Sequence, residues 1–242
     1  MTEHLSRKEL KKDEFRETLA HGAEAVLGHQ QLALYLVGAI AVVALAVFGW
    51  RFYAERQTVK AAAAYDDAMK VFKARIRTAG EPAGDPNEVS YVDEKNKYDD
   101  ADKKFEAVAK QYPRTRPGQI SAYYAALCLE HLNRDAEAAK WLDQVMHSSD
   151  ADFVSLARLE LAQLDDRNSK AADAEKIYQD LVAHPSVFVS KPVALMAFAD
   201  HYRQAKNLTE AAKLYNEIKT EFPDSNLAQQ AGQQLDLMTP KS

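Results

Sequence analysis

The sequence has little of what holds a small disulfide-rich fold or a metal site together. It contains a single cysteine, Cys128, so no internal disulfide bond can form, and its seven histidines include no pair at metal-ligand spacing. Glycine and proline are also scarce, at eight residues each among 242, and this scarcity favours helix over strand. We therefore expect an all-α fold that depends on neither disulfide bonds nor metal ions.

The charge balance and the motif content exclude several classes of function. Lys and Arg number 31 against 36 Asp and Glu, a net charge of −5, whereas nucleic-acid binding needs a concentrated basic face. The sequence contains no G-x-x-x-x-G-K-[ST], G-x-G-x-x-G, H-E-x-x-H, G-x-S-x-G or C-x-x-C motif. We expect a protein that is not an enzyme, with no catalytic residues, cofactor, metal, small-molecule substrate or nucleic-acid partner.

The cysteine, two of the histidines and the acidic doublets are predicted to have structural roles. Cys128 lies in the helical run YYAALCLEHL and is predicted to be a small buried thiol. His131 and His201 lie near predicted helix ends, where contact with the last carbonyl groups is expected. The acidic doublets, of which Asp165-Asp166 is one, lie near helix starts or loops and are expected to be solvated or to cap a helix.

One long stretch carries no charge at all. Residues 32–50, LALYLVGAIAVVALAVFGW, have Tyr35 and Trp50 near their two ends and would span roughly 28 Å as a helix, close to the thickness of a bilayer core. A buried core helix would show a polar face, and a cleaved signal peptide would have a shorter apolar core and small residues after it. The stretch is therefore predicted to be an uncleaved single-pass transmembrane helix.

The tail before this span, residues 1–31, is rich in both signs of charge. Its apolar residues recur at helical spacing at Phe15, Leu19, Ala23 and Val26. The pattern predicts a charged amphipathic helix that lies on the membrane surface or against another subunit. A solvated tail remains the alternative, because the apolar stripe is thin.

Two segments follow the span before the chain becomes repetitive. Residues 51–77 contain neither proline nor glycine and are predicted to continue the transmembrane helix into the first helix of the following domain. Residues 78–93 gather two glycines and two prolines, which predicts an exposed, flexible loop.

From residue 94 to residue 224 the chain repeats itself. An alanine recurs at spacings of 36 or 37 residues, with an aromatic residue or leucine four positions later and an aliphatic residue three positions after that. The three sets are Ala101, Ala138, Ala174 and Ala211; Phe105, Leu142, Tyr178 and Tyr215; and Val108, Val145, Leu181 and Ile218. Residues 225–242 are predicted to form the polar-faced capping helix that repeat arrays require, followed by a tail.

The helix preceding each repeated alanine carries a complementary pattern, best seen as Leu195, Phe198, Ala199 and Tyr202 in the last unit. Together the two patterns resemble the tetratricopeptide repeat. The resemblance implies a transmembrane helix followed by an α-solenoid of paired helices with a capping helix at its C-terminal end, and hence a protein-binding scaffold.

In such repeats the first helix of each pair lines a concave groove. The resemblance implies that an apolar and aromatic groove, suited to an extended or helical peptide, is lined by Tyr123, Leu127, His131, Leu159, Gln163, Met196, Asp200 and Arg203. The alternative for Leu127, Leu159 and Met196 is packing between repeats. The Lys and Asn residues with which some of these repeats grip a C-terminal carboxylate are not matched, so that ligand is disfavoured.

The whole arrangement resembles the bacterial ancillary SecYEG translocon subunit family. The resemblance implies a single-pass protein of the bacterial inner membrane, with its N-terminus in the cytoplasm, its repeats in the periplasm, and translocon subunits and periplasmic chaperones as partners. The local charge count, with Lys12 and Arg16 before the span against Arg51, Arg56, Lys60 and Lys70 after it, favours a cytoplasmic repeat domain. A scaffold of another envelope complex and a cytoplasm-facing adaptor therefore remain open.

Overall fold

The computed structural model describes residues 30–78 and 89–238, with side chains from Leu34 onward. The chain divides into two compact units, Met1–Arg56 and Gln57–Ser242. Most of the predicted charged tail and ten residues of the predicted loop lie outside the described residues. Helix α1 (Gln30–Phe72) supplies the described part of the first unit and the beginning of the second.

The apolar stretch forms part of α1, and its side chains are not buried. Between Leu34 and Trp50 the large apolar side chains are 53% to 75% exposed. Among the described residues, α1 is the one helix long and apolar enough to cross a membrane, judged by length and composition. The predicted span therefore has the length, composition and exposed surface that a membrane-spanning helix needs.

Helix α1 ends at Phe72, earlier than the predicted end at residue 77. The chain turns there, and strand β1 (Arg75–Ile76) pairs in parallel with strand β2 (Ser90–Tyr91). The backbone N–H of Arg77 extends the pairing by donating to the Tyr91 carbonyl at 2.7 Å. Because strand pairing joins segments that are distant in sequence, the helical composition of residues 51–77 gives no sign of it.

The rest of the described chain is helical and organised in pairs. Each helix after β2 packs against the next helix along the chain. The helices are α2 (Glu94–Gln111), α3 (Arg116–His131), α4 (Asp135–Met146), α5 (Ala151–Arg167), α6 (Ala171–Ala183), α7 (Lys191–Gln204), α8 (Leu208–Glu221) and α9 (Asn226–Met238).

The turns inside the three pairs α3–α4, α5–α6 and α7–α8 have the same backbone conformation. Asn133, Ser169 and Lys206 each lie two residues beyond the first helix of their pair and have φ angles of 57° to 61°. In every case the next backbone N–H donates to a carbonyl of that helix at 2.8 Å, which caps its last turn. A left-handed residue at the same repeat position fixes the return angle of the second helix in all three pairs.

The repeated alanines are confirmed as buried positions of the core. Ala101, Ala138, Ala174 and Ala211 are completely buried. The aromatic or leucine residues four positions later are at most 2% exposed, and the aliphatic residues that follow them at most 3%. The alanine admits a neighbouring helix and the larger side chain fills the space beside it, as the repeat pattern predicts.

The first repeat is completed by the end of α1. Ala68, Met69 and Phe72 of this helix pack in one apolar cluster with Ala101 and Phe105 of α2. At the other end of the described domain, α9 packs on α8 and buries Ala228 and Ala231. The predicted all-α fold of paired helices is thus confirmed, and the first helices α3, α5 and α7 lie side by side in one row.

Candidate binding groove

Two adjoining cavities run along the row of first helices. The α3–α5 cavity measures roughly 540 Å³ and the α5–α7 cavity roughly 320 Å³. Arg167, at the end of α5, lines both of them. We call the two cavities together the groove, because they open on the face where the first helices of successive repeats meet.

Several residues predicted to line this groove do so. Leu127 and His131 line the α3–α5 cavity, and Gln163 and Asp200 line the α5–α7 cavity. Arg203 lies beside the second cavity and donates from Nε to Asp200 Oδ1 at 3.1 Å. These five side chains, which come from three repeats, are therefore brought to one face of the domain.

The other three predicted residues line neither cavity. Tyr123 is 8% exposed and Leu159 9% exposed, and both pack in apolar clusters between repeats. Met196 is half-buried against the cluster around Leu195. The lining is consequently polar and acidic where an apolar and aromatic one was expected, because the large apolar side chains of the first helices turn towards the next repeat.

Two polar contacts beside the groove join equivalent positions in successive repeats. The Tyr123 hydroxyl donates to Glu160 Oε1 at 3.2 Å, and the Arg167 guanidinium binds the Glu130 carboxylate. Both pairs are separated by 37 residues, the period of the repeat. Comparing polar residues at this spacing would have found them, since one period brings equivalent positions of neighbouring first helices side by side.

Asp166 is buried beside the α5–α7 cavity and links three helices. Its Oδ1 lies 2.6 Å from Nδ1 of His201 on α7, and its Oδ2 accepts a hydrogen bond from the Tyr178 hydroxyl of α6 at 3.0 Å. The side chains of His201 and Asp166 are only 4% and 11% exposed. The expected solvated or capping role for Asp166 and the expected helix-end role for His201 are therefore wrong: tertiary packing pairs them with each other.

The lining of the groove is unbalanced in charge. Five carboxylates line the two cavities, whereas Arg167 is the one Arg or Lys side chain among the lining residues. Partial burial lowers the pKa of His131, so its ring is neutral at neutral pH, and it stacks on Tyr98 with ring centroids 3.9 Å apart. The lining carboxylates are Glu130, Asp135, Glu160, Asp166 and Asp200.

Burial raises the pKa values of two of these carboxyl groups. Desolvation, with the neighbouring charge of Glu160, raises the pKa of Glu130 to about 7 despite the nearby Arg167. Desolvation also raises the pKa of Glu160. Within the described part of the chain, Oε1 of Glu130 is a buried oxygen with no hydrogen-bond partner. The groove therefore holds closely spaced acidic groups that ionise less readily than free carboxyl groups, and Glu130 is fully ionised only above pH 7.

This raised pKa predicts a pH-dependent stability. The folded state keeps a proton on Glu130 up to about pH 7, whereas the unfolded chain loses it near the ordinary glutamate pKa of 4.5, so the free energy of unfolding falls as the pH rises between these values. We expect Glu130→Gln to flatten this dependence by about 1–3 kcal/mol between pH 5 and pH 8, measured by urea unfolding of the full-length protein in detergent.

Asp224→Asn makes the equivalent change of a carboxylate to an amide in the exposed turn after α8 and serves as the control. Its free energy of unfolding should keep the pH dependence of the wild type. An unchanged pH dependence in Glu130→Gln would show that this carboxyl group titrates normally in the folded protein.

Other chemistry is not supported by the described residues. Between residues 30 and 78 and between 89 and 238, no group of three or more His, Cys, Asp or Glu side chains is placed to hold a metal ion. Cys128 is fully buried, and burial raises the pKa of its thiol. The thiol is therefore protonated at neutral pH and is not poised as a nucleophile.

Paired helices stacked in a row, with a groove along the first helices, define a repeat scaffold of the kind that typically mediates protein–protein interactions without catalysis. Residues 29–188, more than half of the chain, match a family model described as a tetratricopeptide repeat-like domain. Residues 159–226 also match a tetratricopeptide repeat model. The chain belongs to the tetratricopeptide repeat-like domain family. No curated protein matches it.

Proposed function

We propose that this protein is a membrane-anchored adaptor of the bacterial secretion machinery. The α1 span holds it in the inner membrane as an ancillary subunit of the SecYEG translocon, with its N-terminus in the cytoplasm. The repeat domain faces the periplasm and passes emerging chains to periplasmic chaperones. The repeat scaffold, with its exposed groove, is the observation that carries the protein-binding part of this proposal.

The structure of α1 supports the membrane part of the proposal. The apolar side chains between Leu34 and Trp50 have no covering surface in the described part of the chain, and exposed apolar surface of this extent is unfavourable in water. The same helix provides the residues that complete the first repeat, Ala68 and Phe72 among them. A partner bound to the repeats would consequently be linked to the membrane through this helix.

The translocon role rests on resemblance in the order of these elements, a charged tail followed by one span and degenerate repeats. A specific observation favours a second function, that of a cytoplasm-facing membrane adaptor. Four basic residues follow the span within twenty residues, whereas two precede it, and this difference favours a repeat domain in the cytoplasm. Large domains are translocated with little regard to charge, so we retain the periplasmic orientation.

Purification in a mild detergent tests the proposal. The tagged full-length protein should bring down translocon subunits and periplasmic folding factors, and a single-span membrane protein of similar abundance should bring down neither. Recovery of cell-wall or division proteins in their place would favour a scaffold of another envelope complex. Absence of both translocon subunits and folding factors would contradict the adaptor role.

A further inference from the structure

The groove already binds one cation, and that cation belongs to the protein itself. The Arg167 guanidinium extends from the end of α5 between the two cavities and binds Glu130 of the preceding repeat. Its side chain is 48% exposed, whereas that of Glu130 is 13% exposed. Arg167 therefore shows which chemistry this surface accepts: a planar cation that arrives from the solvent side and pairs with a buried carboxylate.

Arg167 leaves two carboxylates of the α3–α5 cavity, Asp135 and Glu160, without a counterion of their own. Asp135 accepts a hydrogen bond from a neutral amide, that of Asn168, at 3.0 Å, whereas Asp200 of the α5–α7 cavity is paired with Arg203. Glu160 accepts from the neutral Tyr123 hydroxyl. A neutral donor satisfies an oxygen atom but does not compensate its charge, so the attraction for a cation remains.

We propose that the groove binds an extended protein segment through its arginine or lysine side chains. This inference rests on the proposed function as a protein-binding adaptor and names the chemistry of the bound segment. A basic side chain of that segment enters the α3–α5 cavity near Glu160 and Asp135. This cavity, at roughly 540 Å³, has room for such a side chain.

The surroundings of the carboxylates favour a cationic segment over other occupants. An acidic segment or a terminal carboxylate would meet like charges in both cavities. An apolar helix would find few apolar partners, since Leu127 and Ala197 are the aliphatic side chains among the lining residues. The neutral His131 ring at the edge of the α3–α5 cavity offers a flat surface on which a guanidinium can stack.

Three labelled peptides test the proposal on the full-length protein in neutral detergent at pH 8. They have the same alternating serine sequence and carry four arginines, four citrullines or four glutamates. We expect the arginine peptide to bind, and the citrulline peptide, which has the same shape without the charge, to bind at least about tenfold more weakly by fluorescence anisotropy. Equal binding of the arginine and citrulline peptides would overturn the proposal.

Three variants of the protein test whether the peptide binds in the groove. Glu160→Gln keeps an acceptor for Tyr123 while removing a charge, and should weaken binding of the arginine peptide several-fold. Asp143→Asn removes a charge from the exposed surface of α4 and should leave binding unchanged. Arg167→Gln should strengthen binding, because it removes the competing cation; a purely structural role for Arg167 predicts weaker binding instead. Equal effects of Glu160→Gln and Asp143→Asn would place the peptide outside the groove.

The peptide-binding experiment and the co-purification experiment can fail independently of each other. If the arginine peptide fails to bind while translocon subunits and folding factors still co-purify with the protein, the inference about the groove is wrong and the adaptor role stands. If the peptide binds as expected and those partners do not co-purify, the groove recognises basic segments in another setting.

Discussion

Replacing Phe105 with alanine is expected to destabilise the repeat domain more than any other single truncation considered. Phe105 is completely buried, and its ring lies 5.3 Å from that of Tyr124 and 6.0 Å from those of Tyr65 and Phe72, measured between centroids. Truncating a buried phenylalanine removes these contacts and leaves a cavity, which costs about 3–5 kcal/mol. Urea unfolding of the full-length protein in detergent, followed by circular dichroism, measures the loss.

The same experiment tests whether the end of α1 belongs to the repeat domain. Tyr65 and Phe72 lie on α1, Phe105 on α2 and Tyr124 on α3, so the cluster joins the three helices. Phe188→Ala is the matched control, because the Phe188 ring is 42% exposed. This variant should lower the free energy of unfolding by less than about 1 kcal/mol. Equal losses in the two variants would show that α1 does not pack on the repeats as described.

Replacing Asp166 with alanine is expected to cost about 2–4 kcal/mol. The change removes one acceptor shared by the His201 ring and the Tyr178 hydroxyl, and both groups are then left buried without this partner. Each unsatisfied buried group costs about 1–3 kcal/mol. The effect concerns the junction of the third and fourth repeats, because the three residues lie on α5, α6 and α7.

Two further variants separate this network from a general loss of acidic charge. Asp166→Asn retains the size of the side chain and one carbonyl acceptor, so its loss of stability should be smaller than that of the alanine variant. Asp143→Ala, at a side chain 64% exposed, should stay within about 0.5 kcal/mol of the wild type. An Asp166→Ala protein as stable as the wild type would show that the network contributes nothing to the packing of the repeats.

The fold is largely predictable because its determinants are local and recur at a fixed period. Ala101 and its three equivalents mark the close approach of helices at spacings of 36 or 37 residues, and apolar residues at helical spacing accompany them. The end of α1 was predicted five residues too late because the feature that determines it is not local. The pairing of Ile76 with Tyr91 depends on a long-range contact that no local pattern reports.

The groove is predictable only in part, because repeat offsets identify a helix face but not the packing of each side chain. Leu127 and Gln163 line the cavities as their offsets predict, whereas Leu159 is covered by the following repeat. The acidic character was missed because each residue was considered within its own repeat. The pairing of Glu130 with Arg167 becomes visible when equivalent positions of neighbouring repeats are compared.

The acidic groove and the proposed adaptor role are consistent in one physical respect. Segments that leave a translocon would be extended before they fold, and an extended chain exposes its basic side chains to a binding surface. Because surface charge interactions are screened by salt, binding of this kind is reversible, as transfer to a chaperone requires.

The orientation of the repeat domain is the central claim, and protease accessibility in spheroplasts tests it most directly. Bacterial cells would produce the full-length protein with an epitope placed after Ser242, and intact spheroplasts would be treated with protease before and after the membrane is dissolved. The proposed role predicts digestion of the epitope in intact spheroplasts, with a cytoplasmic control protein protected. Protection of the epitope until the membrane is dissolved would place the repeats in the cytoplasm and contradict the transfer of secreted chains to periplasmic chaperones.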